Sequence, residues 1–297
     1  MEVRTLEGRR DRYDGIVCGV KDVEKVCVGE EEFSECVRRS LEAWRKGGVR
    51  GAWVTVPCNV ESIKYTLPTL LSQGFEVHSC QKEKGRQSIL LNAWLPGPVE
   101  PCRLPDAPSH TVGAGGMVID LEARKILVVT ERFAFFGKRS WKLPGGYCGR
   151  GESIKDAAVR EVWEETSIRA TFTGVIGVRQ MHPHLFGSND LYCVCLLSAS
   201  SKTEPKAEEA EIEETIWMDL SDYVRNEEVN PYNQALGRLV LGYMEANRKV
   251  PVLTTELPMS YEHVRDQNME EMYRRFLESK TFHVNYVIPE CPAVAKI

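Results

Sequence analysis

The sequence predicts an α/β protein made of two folded units. Apolar stripes at helical spacing alternate along the chain with short apolar runs that are typical of strands. Residues 95–110, LPGPVEPCRLPDAPSH, contain five prolines and little periodicity, which indicates an extended connector. The 297 residues suffice for two domains of about 100–200 residues each. We therefore predict a small α/β domain over 1–95, a linker over 96–110, a larger domain over 111–250 and a C-terminal extension over 251–297.

The first unit is predicted from one clear helical stripe and the apolar runs that follow it. Phe33, Val37, Leu41 and Trp44 recur on one helical face, which ends at a pair of glycines. The expected elements after it are a strand, a helix and two strands: 52–56, 60–73, 75–79 and 88–94. No catalytic constellation is evident in this unit.

The second unit is predicted to hold five strands and two helices, and the C-terminal extension a third helix. The strands are expected at 111–119, 125–130, 172–180, 190–198 and 213–218. The helices are expected at 153–168, 233–246 and 268–277, the first capped by Ser153 with Asp156 three positions on. The segment GAGG at 113–116 lacks GxGxxG spacing and precedes no helix, so we expect close backbone packing there rather than a nucleotide loop.

Composition excludes several classes of function. The net charge of −5 disfavours binding to nucleic acid or anionic membranes, although a bound metal can still attract a phosphorylated small molecule. Ten cysteines form neither a CxxC pair nor zinc spacing, which favours a reduced intracellular protein. No apolar run approaches the ~18 residues of a membrane helix. We expect a cytoplasmic protein, with nucleus and mitochondrion left open.

The stretch GGYCGRGESIKDAAVREVWEETSI at 145–168 carries the clearest chemistry. Glu161, Glu164 and Glu165 share one helical face, where they would repel one another unless they bind a cation. Oxygen ligands completed by water suit Mg²⁺ or Mn²⁺. Glu152 ends the glycine-rich loop, within reach of the Arg160 guanidinium.

These residues resemble the Nudix box. Its pattern, Gly-x5-Glu-x7-Arg-Glu-aliphatic-x-Glu-Glu-x-Gly-aliphatic, is matched throughout except at Ser167, which stands where the family has glycine. A positive φ is preferred at that helix end, so serine is expected to cost about 1 kcal/mol without loss of a ligand. The matching residues are Gly146, Glu152, Arg160, Glu161, Val162, Glu164, Glu165 and Ile168.

The resemblance implies an α/β/α sandwich around a mixed sheet, and hydrolysis of a nucleoside diphosphate linked to another moiety. It implies Glu161 and Glu165 as direct metal ligands, Glu164 as a further ligand or water holder, and Glu152 as an outer or inner ligand. Gly146 is a further metal-site candidate through its backbone carbonyl. Arg160 would fix the carboxylates.

A downstream segment narrows the resemblance. Together with PGG at 144–146 and WMDL at 217–220, VRQMHPHLFGSNDLYCVC at 178–195 is similar to the fibroblast growth factor antisense-type Nudix proteins and the plant ADP-ribose and NADH pyrophosphatases. These carry a small acetyltransferase-like domain before the Nudix domain. The acetyl-group chemistry is not expected here, since a suitable glycine loop is missing. The unit could instead cover the substrate or form a homodimer.

Candidate substrate residues follow from that segment. Arg179 could clamp pyrophosphate or ribose, with Asp190 orienting it or capping a turn. His182 could bind phosphate or transfer a proton, and Phe186 could stack on adenine. Glu211 precedes the last strand, where it could act as an extra ligand or general base. Each of these residues could equally be structural.

The sequence thus favours a Mg²⁺- or Mn²⁺-dependent pyrophosphatase of ADP-ribose or NADH. Coenzyme A, a dinucleoside polyphosphate or capped RNA remain alternative substrates. A catalytically weak protein that binds NAD metabolites is the alternative from another class.

Overall fold

The computed structural model describes residues 4–26, 29–83, 85–97, 100–133, 139–182 and 187–252. The chain divides into two compact units, Met1–Ser109 and His110–Ile297. The proline-rich connector packs with the first unit: Arg50 pairs with Glu100, and the Leu104 side chain lies against Gly51. The predicted helix at 268–277 lies outside the described residues.

The first unit is a five-stranded sheet with helices. Its sheet order is β1-β2-β3-β5-β4, with β2 parallel to β3 and the other pairs antiparallel. The strands are β1 Arg9–Arg10, β2 Ile16–Cys18, β3 Gly51–Pro57, β4 Glu76–Glu83 and β5 Arg86–Trp94. The helices are α1 Val20–Glu24, α2 Glu30–Lys46 and α3 Val60–Ser72. The predicted stripe on α2 is buried, including Phe33, Val37, Leu41 and Trp44. The short elements β1, β2 and α1 were not predicted.

The second unit is built on a six-stranded mixed sheet. Its order is β11-β7-β6-β10-β9, and β8 pairs with β6 beside that path. Strand β10 runs parallel to β6, and the other pairs are antiparallel. The strands are β6 His110–Asp120, β7 Lys125–Glu131, β8 Gly145–Tyr147, β9 Thr171–Met181, β10 Asn189–Ser198 and β11 Ile212–Asp219. The helices are α4 Ile154–Thr166, α5 Leu220–Tyr223 and α6 Pro231–Glu245.

Two apolar layers cover the two faces of this sheet. Ala157, Ala158 and Val162 of α4 pack with Val118 and Cys195 on one face. Side chains of α5 and α6 pack on the other, where Tyr223 and Val240 meet Met117 and Val194. Alternate strand residues face opposite layers, as the period of a strand requires. The predicted α/β/α sandwich with a mixed sheet is confirmed, as is an additional α/β domain before it.

Helix α4 begins and ends as its sequence indicates. The Ser153 hydroxyl accepts a hydrogen bond from the Asp156 N–H at 3.1 Å, which caps the first turn. The predicted capping box is only half formed, because the Asp156 carboxylate bonds the Ser153 hydroxyl rather than its N–H. Ser167 closes the helix in the left-handed conformation, with φ +58°. Within the described ranges, no helix is long and apolar enough to cross a membrane.

We expect Ser167→Gly to stabilise the protein by about 1 kcal/mol, because glycine adopts the left-handed conformation without the steric penalty that serine carries. Urea unfolding of the two proteins measures the difference. Ser167→Val serves as the opposite control, since a β-branched residue should lose stability at this φ. Equal stability of all three proteins would show that the helix end carries no strain.

Candidate active site

The glycine loop and α4 bring the Nudix-box residues together at one edge of the sheet. Gly145 and Gly146 lie in β8 and pair with Gly115 and Ala114 of β6. The Gly116 N–H bonds the carbonyl of Pro144 at 2.8 Å, which fixes the entry to the loop. A Cβ on Gly116 would come within 2.4 Å of a Val162 methyl. Close packing of the helix against the strand therefore requires glycine at this position.

Arg160 is the centre of the carboxylate cluster. Its guanidinium bonds both carboxylate oxygens of Glu152, at 2.7 and 2.8 Å. The same group bonds Glu161 at 2.7 Å, Glu164 at 2.8 Å and the carbonyl of Tyr147 at 3.1 Å. The bond to Glu152 holds the pKa of that carboxyl below its usual range. Arg160 thus ties the end of the loop to the acidic face of α4.

Glu165 has a different environment from the other three acids. Its carboxylate accepts a hydrogen bond from the Gly145 N–H at 3.2 Å. Burial raises the pKa of the Glu165 carboxyl to about 8, opposed by that hydrogen bond and by the nearby Lys142. Repulsion from Glu161 and Glu131 raises the pKa further. Glu165 is therefore a half-buried acid whose charge is costly without a cation.

Lys142 and Glu131 are site residues that sequence reasoning missed. They form an ion pair with each other, and both contribute to the electrostatics of Glu165. Backbone hydrogen bonds between Val129 of β7 and Lys142 hold Lys142 beside β7, which also carries Glu131. No spacing in the sequence indicates this neighbour, because a long-range pairing creates it.

Gly146 lies directly against Glu161. A Cβ at this position would stand 2.7 Å from a carboxylate oxygen of Glu161 and 2.8 Å from its carboxyl carbon. Glu161 is 15% exposed, and its carboxylate lies within the cluster that Arg160 holds. The glycine of the box therefore leaves room for the carboxylate.

We expect Gly146→Ala to lower hydrolytic activity at least tenfold with little change in melting temperature. The added methyl meets the far end of a flexible side chain, so the carboxylate moves and the fold persists. Activity and thermal unfolding should be measured together. Gly242→Ala is the matched control, because a Cβ there meets nothing within 4 Å. Equal activity of Gly146→Ala and the wild type would remove Glu161 from the site.

The predicted substrate residues are only partly brought together. Arg179 of β9 forms a 3.4 Å ion pair with the buried carboxylate of Asp190 and stacks over the Tyr192 ring at 5.2 Å. Its Nε is buried and has no hydrogen-bond partner among the residues that the structure describes. The exposed His182 meets the His110 ring edge to face, at 5.8 Å between centroids. Phe186 lies outside the described residues.

Glu211 immediately precedes β11, and no hydrogen bond joins it to the Arg160 cluster within the described ranges. Its backbone N–H bonds the Glu208 carboxylate, and its carbonyl accepts from the Arg132 N–H. Its own carboxylate is exposed and makes no hydrogen bond or ion pair with the described part of the chain. The catalytic role suggested for Glu211 stays a prediction.

The donors present suit a hard divalent cation, because Glu152, Glu161, Glu164 and Glu165 offer only oxygen. Such an ion would offset the charge of the half-buried Glu165 carboxylate, whose pKa is raised by burial and by the neighbouring Glu161. Within the described ranges, no three acidic, histidine or cysteine side chains are gathered as a metal site. The Arg160 bonds account for this arrangement, since they already engage three of the four carboxylates.

Two family models match the two units of the chain. A family model described as "NUDIX domain" matches residues 109–239, and one described as "Nudix hydrolase domain" matches residues 6–95. Among solved structures, a MutT protein from Methanosarcina mazei Go1 aligns with 48% of this chain and 98% of its own, at 20% identity and a TM-score of 0.39.

Two curated relatives align with most of the chain. The human "Nucleoside diphosphate-linked moiety X motif 6" is 35% identical over 86% of this chain and 78% of its own length. "Nudix hydrolase 7" from Arabidopsis thaliana is 36% identical over 75% of each chain. With identity of this size over both units, and with the box residues assembled around Arg160, this chain belongs to the Nudix hydrolase family.

Proposed function

We propose that this Nudix hydrolase cleaves the pyrophosphate bond of ADP-ribose, NADH or both, with Mg²⁺ or Mn²⁺ as its cation. The products would be AMP and ribose 5-phosphate or reduced nicotinamide mononucleotide. The supporting observation is the Arg160 cluster, which holds three carboxylates on the same loop and helix as the half-buried Glu165. The negative net charge agrees with a small-molecule substrate rather than a nucleic acid.

The carboxylates would hold the cation, and each has a distinct setting. Glu161 and Glu165 lie one helical turn apart and would bind it directly. Glu164, 54% exposed, faces the solvent side and would hold a further ion or its water. A bound Mg²⁺ or Mn²⁺ supplies neutralisation of phosphate charge and a lower pKa for its water. Arg160 keeps Glu152 oriented toward the same place.

The substrate side of the proposal rests on Arg179. Its guanidinium is part exposed and pairs with the buried Asp190 carboxylate at 3.4 Å, which restricts its orientation. A planar guanidinium recognises phosphate oxygens through paired hydrogen bonds. His182 and Phe186 are proposed to complete the pocket for the nucleotide, and Glu211 to assist as ligand or base. A homodimer is proposed as the working assembly.

The direct test measures AMP release. Purified protein with Mg²⁺ or Mn²⁺ should release AMP from ADP-ribose or NADH, and EDTA should abolish it. Glu161→Gln should lose the activity, whereas Glu209→Gln, an exposed acid on the loop after β10, should keep it. The absence of AMP from both substrates with either metal would refute the proposal. Retained nucleotide binding in that case would favour the alternative of a binding protein.

A further inference from the structure

Tyr192 of β10 occupies a space that three glycines leave open. A Cβ on Gly113 would meet its ring at 2.7 Å, and one on Gly115 would meet its hydroxyl at 2.0 Å. A Cβ on Gly145 would also stand 2.6 Å from that hydroxyl. Gly113 and Gly115 of the GAGG segment thus leave room for the Tyr192 ring to pack against the backbone. Close backbone packing is what the sequence predicts for this segment.

The two ends of the Tyr192 side chain reach two different parts of the site. The ring face carries the Arg179 guanidinium, whose carbon lies 5.2 Å from the ring centroid. The hydroxyl end lies at Gly145, whose N–H bonds the Glu165 carboxylate at 3.2 Å. Tyr192 therefore lies between the Arg179 guanidinium and the backbone N–H that binds the Glu165 carboxylate of α4.

The ring, rather than the hydroxyl, makes these contacts. Within the described part of the chain the Tyr192 hydroxyl makes no hydrogen bond. Arg179 is paired on its other side with Asp190, which leaves the ring as the surface that fixes the plane of the guanidinium. Arg179 and Tyr192 are also directly opposite in the β9–β10 ladder, so the contact is set by strand register.

We propose that Tyr192 is a positioning residue that fixes the Arg179 guanidinium at a set distance from Glu165, and so selects for a diphosphate that reaches both. This inference rests on the proposed function, since it takes Arg179 to bind substrate phosphate. It assigns Gly113, Gly115 and Gly145 to the site, because their lack of a Cβ leaves the space that the Tyr192 side chain occupies.

The consequence is a split between binding and turnover. Removal of the ring should release Arg179 and weaken substrate binding, with the cation site left in place. We expect Tyr192→Leu to raise KM about tenfold with kcat within about threefold of wild type. Tyr192→Phe keeps the ring and should stay within about threefold in both constants.

A double-mutant cycle separates positioning from general packing. In Arg179→Met, the further change Tyr192→Leu should cost less than about twofold in KM, because the residue it positions is gone. Gly115→Ala should imitate Tyr192→Leu, since the three nearest atoms to its new methyl all belong to Tyr192. The pair Gly115→Ala with Tyr192→Leu should then be no worse than Tyr192→Leu alone. Phe172→Leu, in the apolar layer on the opposite face of the sheet from Tyr192, is the control for lost packing and should leave KM unchanged.

Binding should also be measured without turnover. Calorimetric titration of the full chain in EDTA, with ADP-ribose and with inorganic pyrophosphate, should show about tenfold weaker binding in Tyr192→Leu and in Gly115→Ala. Equal binding of either probe by wild type and Tyr192→Leu would overturn the inference and leave the proposed function intact. Equal weakening by Tyr192→Phe and Tyr192→Leu would overturn it too. If wild type binds neither probe, the inference is wrong, whereas the proposed function is decided separately by AMP release with Mg²⁺ or Mn²⁺.

Discussion

Replacement of Glu165 by glutamine is expected to lower hydrolysis by roughly a thousandfold while making the metal-free protein more stable at high pH. The loss of activity follows from removal of a carboxylate that would hold the cation, whose contribution to transition-state charge is several kcal/mol. The gain in stability follows from removal of the half-buried Glu165 charge, which no cation offsets in the metal-free protein. Opposite signs of the two effects distinguish a ligand from a packing residue.

The pH dependence of stability has a definite direction. The Glu165 carboxyl has a pKa of about 8 in the folded protein, against an ordinary value of 4.5 for a glutamate carboxyl. Between these values the folded state holds a proton that the unfolded state has lost, so the free energy of unfolding falls as pH rises through the window. The contribution is fully present below pH 4.5 and lost above about pH 8.

Urea unfolding in EDTA at several values between pH 5 and pH 9 measures this dependence. Glu165→Gln removes one titrating group. The free energy of unfolding should therefore fall by about a few kcal/mol less between pH 5 and pH 9 than it does in wild type. Glu209→Gln is the matched control and should follow the wild-type curve. Parallel curves for wild type and Glu165→Gln would show that the pKa of the Glu165 carboxyl is not raised in the folded protein.

Arg160→Lys is expected to lower activity by about tenfold to a hundredfold, although the charge is kept. Lysine is a point donor, whereas the guanidinium bonds both oxygens of Glu152 and reaches two further acids at once. The released Glu152 and Glu161 carboxylates should lose their fixed orientation. Kinetics at saturating and at limiting Mg²⁺ should show the larger effect at limiting Mg²⁺.

Arg225→Lys provides the comparison for the Arg160 variant. Arg225 is exposed and pairs only with Asp222 within the described part of the chain, so its replacement should leave activity and metal dependence unchanged. Full activity of Arg160→Lys at every Mg²⁺ concentration would mean that the cluster needs only a positive charge. The bidentate arrangement would then have no part in function.

Local sequence signals predicted the parts of the site that lie close along the chain. Ser153 and Ser167 mark the ends of α4, and the spacing of Glu152 from Arg160 predicted the contact that the structure shows. These features depend on helix periodicity and on short loops, which a sequence displays directly.

Long-range pairing decided what the sequence did not reveal. Strand β8 has three residues and no alternation, so it forms only because β6 is there to pair with it. The partner of the GAGG glycines was hidden because it depends on the register of β10 beside β6. Lys142 enters the surroundings of Glu165 in the same way, through a contact with β7.

The central claim is that the acidic face of α4, formed by Glu161, Glu164 and Glu165, binds a divalent cation next to the diphosphate of the substrate. Titration with Mn²⁺, followed by electron paramagnetic resonance of the free ion, measures this directly with and without ADP-ribose. We predict tight Mn²⁺ binding by wild type, strengthened by ADP-ribose, and loss of it in Glu161→Gln and Glu165→Gln. Unchanged Mn²⁺ binding in both variants, or no binding by the wild type in the presence of ADP-ribose, would contradict the account.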